Sequence, residues 1–336
     1  MSESPSIRLQ LLDLPLRYEW KLSRNSTVSK TNGIIRLEWQ GICSLGEAAP
    51  NIRYQETPER LYDEFHQQLP ALLTQVEANP EKRHELLSEL PVCQALKTAL
   101  DIAFSDLQAR LKNKSIAALH GLTEARPRKI CYTIPVMEAE EIPAFIEREN
   151  LHRFEWLKIK VNAETALRMT ETVLNHFDGS IAIDGNEAWK DKDAVLSFSQ
   201  NLPSDRIIFL EQPFPSSMRD AYPWLKERSP LEIWGDESVL GESEPEFWQE
   251  AFSGINVKLM KTGSIGNAVR MLKDARSAGL KTMIGCMVET SIGIATAMQL
   301  ESLADYMDLD GFLLLENEPF GRVSEMNGVV SLTSKA

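Results

Sequence analysis

The sequence predicts an α/β protein, a (β/α) barrel preceded by a smaller α+β unit. Three observations predict it. From about residue 128 onward, short apolar runs alternate with amphipathic helical stretches, the pattern of a parallel sheet covered by helices. Seven or eight such units follow one another, which suggests closure into a barrel, with a doubly wound open sheet as the alternative. The first third of the chain lacks this alternation and reads as strands followed by helices. The expected division is 1–120 for the α+β unit, 121–311 for the barrel and 312–336 for a C-terminal segment.

In the first unit, 7–14 and 33–40 read as strands, the second by its alternating apolar residues. The stretch 41–50, GICSLGEAAP, reads as turn-rich. Helices are expected over Pro58–Ala78 and 80–90. Over 92–111, Leu96, Leu100, Ala103, Phe104, Leu107 and Leu111 recur at helical spacing, so one face should be buried. Barrel strands are expected at 129–136, 156–161, 181–184, 207–211, 233–236, 254–259, 282–288 and 311–315. Helices over 163–176, 194–201 and 266–278 are among the segments that separate them. No GxGxxG follows a strand, and GSIG at residues 263–266 is too short for a dinucleotide loop.

Composition narrows the function. The 336 residues carry 36 Lys plus Arg against 49 Asp plus Glu, a formal charge of −13. Polyanion binding needs clustered cations, so nucleic acid is not an expected partner. Hydrophobic residues at 43% and charged residues at 25% are ordinary for a soluble globular chain. No apolar run of about 18 residues exists, so no membrane span is expected. The N-terminus lacks a basic start followed by an apolar stretch, and a cytoplasmic location is expected. Cys43, Cys93, Cys131 and Cys286 form no CxxC pair and read as reduced, mostly buried thiols. The five histidines are too scattered for a zinc site.

Acidic residues close three successive predicted strands: Asp184 ends IAID, Glu211 ends IIFLE and Asp236 follows IWG. The intervals of 27 and 25 residues each match one βα unit. Strand C-termini of a barrel open onto one face, where three converging carboxylates repel unless a cation offsets them. An all-oxygen donor set favours Mg²⁺, with Mn²⁺ as the second choice. The competing reading is helix capping or solvated loop ends. Lys158 and Lys160, two apart on WLKIKVN, leave their strand on one face. Buried ammonium groups are expensive without a task, and repulsion plus desolvation is expected to lower one lysine's pKa. Lys258, in INVKLMK, should project from across the barrel.

The pieces LKIKVN, IDGNEAW, FLEQPF, WGDES and INVKLMKTG, in this order and spacing, resemble the enolase superfamily in its muconate-lactonizing-enzyme branch, from about residue 5 to residue 320. The resemblance implies a modified TIM barrel with an N-terminal capping domain, whose loops near 20–30 and 51–54 close over the mouth, and a C-terminal tail packed back on the cap. It implies one Mg²⁺ per subunit held by Asp184, Glu211 and Asp236. It assigns Lys160 and Lys258 as acid/base partners on opposite faces of the substrate α-carbon, and Lys158 as a stabiliser of carboxylate and enolate charge. Asn186 and Glu237 would support the ligands, and Thr133 would contact substrate. The proton α to a carboxylate is weakly acidic, and its removal gives an enediolate whose charge needs a cation. Return of a proton to the opposite face inverts the centre, a 1,1-proton transfer.

Asp308 and Asp310, in MDLDG, have period-two spacing and would hold a cation. The dipeptide epimerases of this branch have such a DxD for the substrate α-ammonium, so the resemblance points to an epimerase of the L-Ala-D/L-Glu type acting on the C-terminal residue of a dipeptide. Arg24, in KLSRNST, falls near the position that would meet a side-chain carboxylate. The family often has two glycines after the INxKxxK segment, and here they are Gly263 and Ser264, so a loop adjustment is expected. An o-succinylbenzoate synthase or a cycloisomerase on an amine-free carboxylate is the alternative. A non-catalytic binding protein and a Schiff-base barrel are weaker ones. A homo-oligomer is compatible with the sequence.

Overall fold

The computed structural model describes residues 5–21, 26–78, 86–87 and 89–334, with residues 74–78 described by backbone alone. The chain opens with an antiparallel sheet of β1 (Ser6–Lys21), β2 (Ser26–Trp39) and β3 (Ile42–Ala48), in that order. The turn-rich reading of 41–50 is corrected: most of it is β3. Gly46 explains the misleading composition, because a Cβ there would lie 1.9 Å from the carbonyl oxygen of Ala99. Only glycine lets the strand press that closely on the helix Gln94–Lys112. That helix buries Leu96, Leu100, Ala103, Phe104 and Leu107, as its spacing predicts, with Ala99 beside them; Leu111, expected on the same face, falls in the last turn of the helix and is exposed. The expected helix Pro58–Ala78 is present. The one expected over 80–90 lies largely outside the described residues.

Next come β4 (Arg128–Lys129), β5 (Tyr132–Ile134), β6 (Trp156–Lys160), β7 (Ser180–Asp184), β8 (Ile207–Glu211) and β9 (Ile233–Gly235). They are followed by β10 (Gly254–Lys258), β11 (Lys281–Gly285) and β12 (Tyr306–Asp308). Strands β5 to β12 form one eight-stranded parallel sheet in sequence order. The Cys131 amide beside β5 donates to Met307 O on β12 at 3.3 Å, which nearly closes the ring. The α/β barrel with an N-terminal cap is therefore the fold.

Two strand expectations are corrected. The segment 129–136 splits, and β4 leaves the barrel to pair with β14 (Val329–Leu332), itself paired to β13 (Val323–Met326). The segment 311–315 is a 3₁₀ helix, Gly311–Leu314, and β12 is the last barrel strand. A continuous apolar run does not separate a buried strand from a buried turn of helix. Beyond it, Glu316 N donates to Pro15 O at 2.9 Å, and Arg322 lies 3.4 Å from Asp106 on the helix Gln94–Lys112.

Inside the barrel the strands alternate as the pleat requires. Cys131, Trp156, Ala182, Phe209, Trp234 and Met283 form an apolar floor, with Tyr306 packed against it. Two residues further along the same strands stand Thr133, Lys158, Asp184, Glu211, Asp236 and Asp308. No helix among the described residues is long and apolar enough to cross a membrane. The four cysteines are free thiols; Cys93 and Cys131 are buried, Cys286 is half-buried and Cys43 is exposed.

Candidate active site

The C-terminal ends of the barrel strands and the cap enclose a cavity of about 460 Å³. Asp184, Glu211 and Asp236 converge beneath it, and a carboxylate oxygen from each lies within 4.8 Å of the others. The local folding that brings them there is strained. Asn186, Glu187 and Gln212, just past β7 and β8, have φ of 42°, 64° and 40°, a region L-residues rarely adopt. These turns aim side chains back at the site. Gln212 Oε1 accepts the Asp236 and Ser238 amides at 2.9 and 3.0 Å, which fixes the Asp236 backbone.

Lysines face the acids. Lys158 Nζ lies 2.8 Å from Glu211, 2.9 Å from Asp308 and 3.2 Å from Asp184. Lys160 Nζ donates to Asp184 at 2.7 Å and to Asn186 Oδ1 at 3.0 Å. Lys258 Nζ donates to Asp236 at 2.8 Å. Strands β6 and β10 are four places apart in a ring of eight, so Lys160 and Lys258 enter the cavity from opposite walls.

Charge balance sets the ionisation. Burial would raise Asp184, but Lys158 and Lys160 outweigh it and hold the acid at about 2. Asp236 is likewise held well below the usual range: burial opposes this, and Lys258 and Lys261 win. Glu211 goes the other way, to about 8, because burial exceeds the help from Lys158. The expected lowering of one lysine of the Lys158/Lys160 pair by repulsion is corrected for Lys158. Burial would lower it, but Asp184, Asp308 and Glu211 raise it well above its ordinary value. Lys258 is raised too, since Asp236 overcomes its burial.

The donor set fits a hard divalent cation. Its ligand atoms are all carboxylate oxygens. Glu211 Oε2 is fully buried and receives no directed hydrogen bond, although the Lys158 ammonium is near. The Lys158 ammonium 2.8 Å away partly balances this oxygen, and a cation held by the three carboxylates would give it the directed partner it lacks.

The remaining expected residues distribute as follows. Asp308 Oδ2 accepts from Lys158 at 2.9 Å and its Oδ1 from the Cys131 thiol at 3.2 Å. Asp310 Oδ2 accepts the Thr133 amide at 2.6 Å, and both residues line the cavity. Burial and neighbouring Asp308 push Asp310 up to about 6. Asn186 Nδ2 donates to Glu237 at 3.3 Å, and burial with Asp236 beside it raises Glu237 to about 7. Trp20, Thr27 and Lys30 line the cavity from the cap, as do Asn51, Ile52, Arg53 and Tyr54. Arg24 lies outside the described residues. Ser264 accounts for the missing second glycine. Gly263 takes φ +74° to end one helix, and the Ser264 hydroxyl accepts the Asn267 amide at 3.1 Å to start the next.

Several contributors escape the sequence reading. Lys261, nearly fully buried, donates to Asp236 O at 2.6 Å and also to its carboxylate. A short helix, Leu259–Thr262, begins directly after β10, so a residue three past Lys258 turns back toward the site. Asn256 donates to Glu211 at 2.9 Å. Arg53 clamps Glu187 through two bonds of 2.8 Å, tying the cap loop to the loop after β7. The INVKLMK and IRY strings hold these residues, but nothing in their spacing alone marks a partner.

Comparison with known proteins accords with this geometry. Residues 140–319 match the family model of enolase C-terminal domain-like proteins. An L-Ala-D/L-amino acid epimerase of Pedosphaera parvula is 37% identical, the match covering 96% of this chain and 94% of that one. An L-Ala-D/L-Glu epimerase of Bacteroides thetaiotaomicron is 30% identical over 95% of this chain and 83% of its own. A crystal structure of a dipeptide epimerase from Methylococcus capsulatus, complexed with Mg and L-Arg-D-Lys, superposes with a TM-score of 0.83 at 26% identity, over 99% and 98% of the two chains. With an acid triad at the mouth of a capped eight-stranded barrel, the chain belongs to the enolase superfamily and, among its epimerases, is an enzyme of the isomerase class.

Proposed function

We propose that the chain is a Mg²⁺-dependent dipeptide epimerase that inverts the α-carbon of the C-terminal residue by 1,1-proton transfer, with L-Ala-D/L-Glu as the leading substrate pair. The observation that carries the reading is the entry of Lys160 and Lys258 from opposite walls of one cavity above three converging carboxylates. Asp184, Glu211 and Asp236 would hold the cation. When bound, it supplies concentrated positive charge where negative charge develops on the substrate carboxylate.

The chain's own residues do the rest. One of Lys160 and Lys258 takes the α-proton at its Nζ, and the other returns a proton to the opposite face, so either epimer can enter. Lys158, buried among Asp184, Glu211 and Asp308, stays an ammonium and adds positive charge near the reacting carboxylate. Asp310, oriented by the Thr133 amide, takes the substrate α-ammonium together with Asp308. This acidic pair would repel an amine-free dicarboxylate, which weighs against the lyase and cycloisomerase alternative. Asn186 and Glu237 support the ligand loop.

The experiment is mass-spectrometric deuterium incorporation from D₂O into a dipeptide library with Mg²⁺ present. Label at the C-terminal α-carbon of a subset of dipeptides, L-Ala-L-Glu among them, is expected. Label in no dipeptide would sink the reading.

A further inference from the structure

Each carboxylate of the triad has one oxygen taken by a neighbouring donor. Asp184 Oδ1 accepts the Asn186 amide at 2.9 Å. Glu211 Oε1 accepts from Asn256 Nδ2 at 2.9 Å, and Asp236 Oδ1 accepts from Lys261 Nζ. The second oxygen of each faces the lysines that line the cavity. Lys158 and Lys160 stand at Asp184 Oδ2, Lys158 at Glu211 Oε2 and Lys258 at Asp236 Oδ2. Asn256 and Lys261 do not line the cavity, and both are at most 2% exposed. They are also tied to each other. Lys261 Nζ donates to Asp236 O at 2.6 Å and to Asn256 O at 3.3 Å. One buried ammonium thus reaches Asp236 directly and Glu211 through Asn256.

An ammonium beside a cation site repels the incoming ion, so raw affinity does not explain Lys261. What it supplies is a fixed oxygen. A carboxylate with one oxygen committed to a buried donor offers a cation only the other. Mg²⁺ demands a tight octahedron that single-oxygen ligands satisfy, whereas Ca²⁺ takes more oxygens and often both of one carboxylate. We propose that Lys261 and Asn256 are positioning residues that hold Asp236 and Glu211 to one ligand oxygen each and thereby select Mg²⁺ over Ca²⁺. The inference rests on the reading of the triad as a divalent-cation site.

The test is competition for Mn²⁺, followed by the electron paramagnetic resonance signal of the free ion. It uses metal-stripped, full-length wild type, Lys261→Met and Asn256→Ala, with folding checked by circular dichroism. Mg²⁺ and Ca²⁺ are each titrated against bound Mn²⁺, and the ratio of their affinities is the readout. The two ions carry the same charge, so loss of the lysine charge or of folded protein changes both affinities alike and leaves the ratio where it was. Each variant should lower the Mg²⁺ to Ca²⁺ ratio about tenfold. Asn256→Ala keeps the Lys261 charge and carries the test if Lys261→Met does not fold. An unchanged ratio in a folded variant overturns the assignment of that residue and leaves the metal reading standing. A wild type that binds no Mn²⁺ overturns both.

Discussion

The floor and the mouth of the barrel are built on the same strands, two residues apart, and they are opposites. At the floor, Phe209 and Trp234 stack with ring centroids 4.3 Å apart, and Tyr306 meets Trp156, Phe209 and Trp234 edge-on at 5.6–5.9 Å. Gly254 clears space for this layer, because a Cβ there would lie 2.4 Å from the Trp234 indole. At the mouth, Lys158, Asp184, Glu211 and Asp236 are at most 2% exposed, yet every one is ionisable. Burial alone does not separate the layers; position along the strand does. The floor is held by packing. The mouth is held by charge balance, with Lys158, Lys160, Lys258 and Lys261 facing Asp184, Glu211, Asp236 and Asp308. One layer should therefore govern stability and the other chemistry.

The sharpest break in that contrast is expected from metal removal. Dialysis against a chelator should lower epimerase activity about a thousandfold or more, with recovery on adding Mg²⁺, while the floor keeps its near-ultraviolet aromatic circular dichroism. Full activity in chelator would mean that the triad has no catalytic ion.

At the floor, Phe209→Ala should cost about 3–5 kcal/mol by denaturant titration, since the ring is fully buried and stacked. Its KM for dipeptide should change little at a temperature where the variant remains folded. A large KM change with intact stability would show that the two layers are not separable in this way.

The seam between cap and barrel extends the comparison to two buried acids that form no ion pair with a lysine among the described residues. Glu47, on β3, accepts from Asn32, Thr290 and Gly293. Glu289 lies beside it, pushed up to about 8 by burial and by Glu47. At the mouth, lysines hold Asp184 at about 2. The sign follows. The unfolded chain ionises this glutamate near 4.5, the folded chain only near 8, so stability is lost as pH rises through that window. Glu289→Gln should recover about 1–3 kcal/mol of the loss between pH 5 and 8. Thermal unfolding curves that fall equally with pH in both proteins would exclude this origin.

Asp310 carries the smallest predicted effect. Its pKa of about 6 makes it neutral below that pH, where it holds a substrate ammonium poorly. On the acid side, kcat/KM should fall by about tenfold per pH unit below 6, mainly through KM, and this limb should be absent from Asp310→Asn. An unchanged acid limb in the variant would remove Asp310 from substrate binding.

What the sequence made readable follows from the same layering. The parallel strands announce themselves by apolar runs, and Asp184, Glu211 and Asp236 stand out because each closes one. Lys158 and Lys160 share a face by period two. The misses have physical reasons. LDGFLLLE has the apolarity of a buried strand, but the chain turns at Asp310 into a 3₁₀ helix. ICSLGEA reads as a turn until Ala99 supplies the reason for its glycine. The direction of the Lys158 shift needs the distances to three acids, which are far apart in sequence.

The most direct measurement is α-proton exchange in D₂O, followed by NMR on each epimer separately, in the wild type, Lys160→Ala and Lys258→Ala with Mg²⁺ present. The two-wall geometry predicts exchange from both epimers in the wild type. Each variant should exchange from only one epimer, the opposite one in the two cases, and neither should interconvert them. Epimerisation at the wild-type rate by either variant, or loss of exchange from the same epimer in both, would contradict the assignment of one lysine to each face.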